Sequence, residues 1–361
     1  MTLLGPAAPP AHADVPDRIV KTARLRRILA GHPEADALVL TSAESLAWYL
    51  DGARVTVPIG GAPVLALELD RAAETIHCLS NEAERMVAEE LPEGLQVEAV
   101  PWSTDLLAGR AGTSILSEQQ IAGELRAARA SLLPQELAHY RTLCADLAAL
   151  ATDVLGQAAP HALEREIAAA AAGGIVAMGG EPLVVLVAGE SRRHHRHPLP
   201  TDALVGGEAT LVLCARRRGM IANLTRRIRF RRPTADIAGS EQRILEVEAE
   251  ILRATRVGRT FVQVFDDIAS AYPAHGFAAD EWTRHHQGGP TGYLGRDPKL
   301  TPTTSGSFVE NQAFAWNPTA PGVKVEDTAL LTDAGIDVLT VDPRWPTEPV
   351  GGIPRPVTLA P

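Results

Sequence analysis

Apolar residues recur along this chain on two periods, one helical and one of a strand. In residues 18–31, Ile19, Leu25, Ile28 and Leu29 fall on a helical repeat among lysines and arginines, and the run at 37–41, Ala-Leu-Val-Leu-Thr, predicts a buried strand directly after it. Ser42 and Ser45 can cap a short helix over 42–49, and residues 55–69 predict two strands broken at Gly60-Gly61. Strand patterns return at 75–79 and 97–100, with a helical stretch at 81–90 between them. Such alternation predicts a small three-layer α/β domain. From 115 to 155 the chain is rich in Ala, Leu, Glu and Arg, interrupted at Pro134, whose fixed φ and missing N–H suit the first turn of a new helix. Beyond it the pattern predicts a helix at 162–172, strands at 183–188, 209–214 and 220–230, helices at 240–256 and 261–272, and strands again from Ala313 to a Pro-rich end after Trp345. The second domain is therefore expected to be mixed α+β with antiparallel hairpins. The expected boundaries are a flexible tail at 1–17, a first domain at 18–132 and a second at 133–361.

Composition narrows the class. The 361 residues are 45% apolar, enough for a large core, and the formal charge of −10 argues against a nucleic-acid or anionic-membrane partner. The local exception is basic: Arg216, Arg217 and Arg218, then Arg226, Arg227, Arg229, Arg231 and Arg232. Such a run reads first as a solvated or ion-paired face, with anion binding as the alternative. Cys78, Cys144 and Cys214 are odd in number and widely spaced, which suits neither a disulfide framework nor a zinc cluster and fits a reducing cytoplasm. Residues 1–17 contain an Ala-His-Ala triplet but no basic start or apolar run of a secretion signal. No stretch approaches the roughly 18 to 20 apolar residues of a membrane span.

Candidate chemistry gathers in the C-terminal half, in His194-His195-Arg196-His197, Cys214 to Arg226, His285 to Asp297 and Asn317 to Asp327. These segments, with Leu133 to Arg141 before them, resemble the creatinase and aminopeptidase P (pita-bread) family, and the resemblance runs over about residues 18–350. It implies a pita-bread C-terminal domain, a smaller creatinase-like N-terminal domain and a homodimer. In that family a histidine precedes the first metal aspartate by a strand's length, and here His197 lies 17 residues before Cys214. The second aspartate position, before Thr-Arg, matches Asn223 in Asn223-Leu224-Thr225-Arg226. In His285-His286-Gln287-Gly288-Gly289 the first histidine is kept, Gly289 falls where a metal-binding imidazole belongs, and a later His-Glu pair is replaced by Arg296-Asp297. The two glutamate positions match Asn317 and Glu326.

The resemblance thus implies ligand positions that read Cys214, Asn223, Gly289, Asn317 and Glu326. One carboxylate cannot neutralise two divalent ions, so neither a metal nor another cofactor is expected, with a single soft ion held by Cys214 and nearby imidazoles as the alternative. Creatinase, a metal-free member of the family, uses a histidine at the position that His197 matches, and a neutral imidazole can take and return a proton near neutral pH. His197, His285 and Glu326 are the expected catalytic residues. His286, Asn223, Asn317, Asp297, Arg226 and Cys214 are expected to contact a small polar substrate. The reaction expected is hydrolysis of a C–N bond, with a non-catalytic binding protein, a lyase or cyclase, and a metal-dependent Xaa-Pro peptidase as alternatives. Trp282, Tyr293 and Trp316 stand near these motifs and fit either a core or an aromatic pocket wall.

Overall fold

Strand pairing in the computed structural model, which describes residues 15–108 and 114–360, groups the N-terminal strands into one mixed sheet. The chain divides into two compact units, Met1–Arg129 and Ala130–Pro361. The expected tail lies outside the described residues as far as residue 14, while helix α1 already begins at Val15 and runs over Val15–Gly31.

In the first unit β1 (Ala37–Leu40), β2 (Leu65–Asp70), β3 (Glu74–Leu79), β4 (Gln96–Val100) and β5 (Ile115–Leu116) lie in the order β4-β3-β2-β1-β5. Every residue of β1 is buried, which explains its continuous apolar run. Helix α2 (Ala43–Tyr49) starts at Ser42, whose side chain accepts from the Ser45 N–H. One expectation fails here: residues 55–69 form one strand, β2, and only an isolated bridge between Thr56 and Pro63, because Pro58 and Pro63 bring no N–H to a ladder. The helix expected at 81–90 is present over 83–90, beginning as α3 (Ala83–Arg85) and widening into a π-helical turn over Met86–Glu90. Helix α4 spans Ala122–Ala130.

The second unit opens on α5 (Pro134–Gly156). Pro134 occupies its first turn, and the Leu133 N–H donates to Glu136 Oε2 at 2.8 Å. Tyr140, Leu143, Cys144, Leu147 and Ala151 make its buried face, and Tyr140 Oη donates to the Ile221 carbonyl at 2.7 Å. After α6 (Glu164–Ala177) come β6 (Glu181–Gly189), β7 (Glu208–Arg217) and β8 (Met220–Arg229), an antiparallel sheet in the order β6-β7-β8. Helices α7 (Ala235–Ala254) and α8 (Phe261–Ala274) follow, each opened by a threonine cap, Thr234 and Thr260.

The second sheet has the order β14-β13-β10-β9, from β9 (Gly288–Pro290), β10 (Gln312–Trp316), β13 (Asp327–Thr332) and β14 (Gly335–Val338). Between β10 and β13 lies the hairpin of β11 (Thr319–Ala320) and β12 (Val323–Lys324), and β15 (Thr347–Val350) pairs with β16 (Ile353–Pro356) near the end. Ile251, Val264, Ile268 and Tyr272 from the helices pack with Phe308, Phe314 and Trp316 into one apolar cluster. Trp316 belongs to this core, where its Nε1 donates to Thr255 Oγ1 at 3.0 Å. One contact joins the two sheets at the place that matters most: the Thr225 N–H of β8 donates to the Glu326 carbonyl at 2.9 Å. Among the described residues no helix is long and apolar enough to cross a membrane.

Candidate active site

In the β7–β8 ladder Cys214 stands directly opposite Asn223, so the two residues expected at the first two ligand positions share one face of the sheet. Burial pushes the Cys214 thiol up to about 12, which keeps it protonated and a poor metal ligand at neutral pH. Asn223 is fully buried. Its backbone N–H donates to Thr328 Oγ1 at 2.8 Å and its Nδ2 to Thr291 Oγ1 at 3.4 Å, while its Oδ1 has no partner. Asn317, 2% exposed, likewise keeps an unpartnered Oδ1.

Two glycines bring β9 hard against β10. Gly288 has φ +106°, and a β-carbon there would lie 2.1 Å from the Ala315 carbonyl oxygen; Gly289 has φ +142°, and its β-carbon would lie 2.5 Å from that of Pro298. No imidazole can stand at 289 without moving the backbone around it. The two histidines just before these glycines are held where β9 begins, and a third reaches them from the loop after β6. Arg196 ties that loop down: its Nη1 donates to the Thr319 carbonyl at 3.1 Å and its Nη2 pairs with Glu281, in the turn Glu281–Arg284 that leads into His285.

The result is a cluster of three imidazoles. His197 Nε2 lies 3.0 Å from His285 Nε2, and the His286 ring stacks on His285 with centroids 4.4 Å apart. One ring nitrogen from each of the three lies within 4.8 Å of the others. His197 is exposed, His286 half-buried and His285 only 9% exposed. Burial first, then Lys324 and the neighbouring imidazoles, holds His285 down at about 3, and burial with Arg296 and Lys299 holds His286 at about 4. His197 is lowered as well, by burial and by Lys324. All three are neutral at pH 7, and His285 and His286 each keep an unpartnered Nδ1.

Glu326 is 2% exposed and closed on two cations. Arg296 Nη2 lies 2.6 Å from its Oε1, Lys324 Nζ 3.2 Å from its Oε2, and Thr225 Oγ1 donates to that same oxygen at 3.2 Å. Burial alone would raise this carboxyl, yet Lys324 and Arg296 pull it down to about 2. Lys324 stands two residues before Glu326, and Arg296 reaches it from 30 residues away.

These residues do not fit a two-metal centre. The single carboxylate already carries two positive partners, the thiol is neutral, two positions are amides and the fifth cannot hold a side chain. Of the other residues expected at a substrate, Asp297 is half-buried beside Arg296, with its backbone N–H on the Pro290 carbonyl at 2.7 Å. Arg226 departs from expectation. It alternates to the opposite side of β8 from Asn223 and Thr225, and its Nη2 donates to Asp327 Oδ1 at 2.8 Å and to the Thr340 carbonyl at 2.6 Å. A guanidinium so enclosed serves the scaffold.

No family model matches the sequence, and no curated protein matches it in sequence. Solved structures do match in shape. A prolidase from Pyrococcus horikoshii OT3 superposes with a TM-score of 0.75 at 17% identity, over 90% of this chain and 99% of that one. An Xaa-Pro dipeptidase from Bacillus anthracis gives 0.76 at 15% identity, over 95% and 99%. The chain has the pita-bread fold. The pita-bread likeness also reaches the N-terminal domain of the FACT complex subunit SPT16 from chickpea, Cicer arietinum, with a TM-score of 0.67 at 11% identity over 90% of this chain and 95% of that one.

Three residues of this site carried no role in the sequence reading. Lys324 and Glu326, two apart, had an alternation signal that could have placed them together; Arg296 and Arg196 meet partners 30 and 85 residues away, beyond any local pattern.

Proposed function

We propose that this pita-bread protein is a metal-independent enzyme that works on a small polar substrate, of amide, amidine or amino-acid type, by imidazole acid/base chemistry, and that the reaction is hydrolysis of a C–N bond. The observation that carries the reading is the state of Glu326, whose charge is matched by Arg296 and Lys324 in the place where the family would hold metal.

In the neutral His197–His285 pair one Nε2 carries the hydrogen and the other accepts it. A proton taken from water settles on His197, because the burial that holds His285 at about 3 forbids an imidazolium there. His197 is also the exposed member, open to substrate. It acts first as base, taking a proton from the attacking water, and then as acid, returning that proton to the leaving nitrogen. His285 and His286 offer their unpartnered Nδ1 atoms, and Asn223 and Asn317 their unpartnered oxygens, to the polar edge of the substrate. Glu326, its oxygens occupied, orients Arg296 and Lys324, so the pocket is electrostatically positive and suits a substrate with an anionic group. The protein is read as a cytoplasmic homodimer, in keeping with the family resemblance and its three free cysteines.

The test is a panel of small amides, amidines and amino-acid derivatives offered to wild type and His197→Ala. Turnover lost in the variant, with substrate binding retained, is the expected result. A second reading, a binding protein without catalysis, draws on the closed Glu326 and on the occurrence of the fold in a FACT subunit. No turnover of any compound, with ligand affinity equal in wild type and His197→Ala, would select it.

A further inference from the structure

A second polar cavity lies beside β8, and it does not include the imidazoles. It encloses about 270 Å³, and its walls are in part apolar, from Ile244 and Leu245 of α7, Val325, Trp345 and Val357. Thr225, Arg226, Arg227, Arg229 and Lys324 bring polar atoms to it, and so does the Glu241 carboxylate. This is the arginine run whose charge the sequence left open between ion pairing and anion binding.

Ion pairing accounts for most of the run, and around Glu208 and Glu241 cations outnumber carboxylates by one. Arg193 and Arg229 each reach Glu208 at 3.0 Å; Arg227 and Arg229 each pair with Glu241. Three guanidiniums thus share two carboxylates. The shortfall falls on Arg227, which is 7% exposed: its Nη1 holds Glu241 at 2.7 Å, but its Nη2 makes no hydrogen bond, and the Glu208 oxygen beside it stands off at 3.7 Å. A buried charged donor without a partner is costly, so a ligand that meets it gains by doing so. An anion in the cavity would meet that N–H and balance the extra charge, whereas a cation would add to it.

We infer that this cavity is a binding site for a small organic carboxylate, its carboxylate on Arg227 and its apolar body against Trp345, Val357 and Leu245. The apolar wall favours a carboxylate with a hydrocarbon body over a bare inorganic ion. The volume falls just short of the roughly 300–1,000 Å³ common for ligand pockets, so the ligand is fragment-sized. Glu348 and Gln242 are exposed residues of the lining, and Glu348 disfavours a second negative charge at that end of the ligand. The site is also wired to the one described above, because Lys324 lines the cavity and holds Glu326. The inference stands independently of the proposed reaction.

Benzoate is the probe, titrated into the full chain and followed by calorimetry and ligand-observed NMR, with benzyl alcohol as its neutral isostere and inorganic phosphate as the bare anion. Saturable benzoate binding is expected, with benzyl alcohol and phosphate at least about tenfold weaker. Arg227→Gln removes the donor. Ala238→Trp, at an exposed lining position of α7, fills the cavity while leaving every ion-paired residue in the chain, and so remains informative if Arg227→Gln fails to fold. Each should weaken benzoate by about tenfold or more, and His197→Ala should leave it unchanged. Absence of benzoate binding to wild type, equal binding of benzyl alcohol, preference for phosphate, or full binding by Ala238→Trp would each overturn the inference.

Discussion

Glu326 and Asp327 are consecutive buried carboxylates, each held by two cations and a threonine hydroxyl, and they face different worlds. Asp327 accepts from Arg226 at 2.8 Å, Arg355 at 2.6 Å and Thr340 Oγ1 at 2.6 Å, and Arg355, fully buried, continues to Glu248. Around Glu326 the acceptors are equally well filled, yet within the same site stand two imidazole nitrogens and two amide oxygens with no partner at all. The difference teaches where to look for function. A saturated network holds the two sheets together, while unsatisfied buried polar groups mark where a ligand's polar atoms would find partners.

The sharpest way to break the comparison is to damage the scaffold side. Arg355→Met strips Glu248 and Asp327 of their shared cation and should lower stability by about 3–5 kcal/mol in urea unfolding, as removal of one partner from a buried charged network does. On the site side, His197→Ala should cost about 10²–10⁴ in kcat while the unfolding midpoint hardly moves, because the ring is exposed. A comparable loss of stability in His197→Ala would erase the distinction.

Acid separates the two sides further. His285 is held at about 3 when folded but titrates near 6.5 when unfolded, so the unfolded chain binds more protons between these values. Its contribution to stability is complete above about 6.5 and is lost as pH falls, by at most about 2 kcal/mol at pH 5. Thermal unfolding of wild type should show that decline, and His285→Gln should make it shallower, with the remainder set by His286, which is held at about 4. The smallest effect is expected at Asn317: Asn317→Leu removes an orphan oxygen, so stability should hold or rise slightly, while KM for a turned-over substrate rises about tenfold.

Much of the scaffold was legible before any coordinates. The Leu133 to Arg141 segment opens a helix because Pro134 and Glu136 fix its first turn, and β7 and β8 follow from their long apolar and β-branched runs. At Gly288 and Gly289 the reason for glycine lies in backbone from elsewhere in the chain, the Ala315 and Pro298 carbonyls, which no local pattern names. What local pattern could not disclose was charge pairing over distance. Arg226 and Arg227 looked equivalent in the sequence, but strand alternation sends the first to Asp327 and leaves the second with an unmade bond beside a cavity. Glu326 read as a lone survivor, and Arg296, 30 residues before it, shows that it has company.

The central claim is that side-chain cations occupy the electrostatic place of a two-metal centre. Metal analysis of the purified protein, with turnover measured before and after chelation, tests it most directly. The account predicts no stoichiometric divalent ion and turnover indifferent to the chelator; two tightly bound ions per chain, with activity lost on their removal and restored on their return, would contradict it.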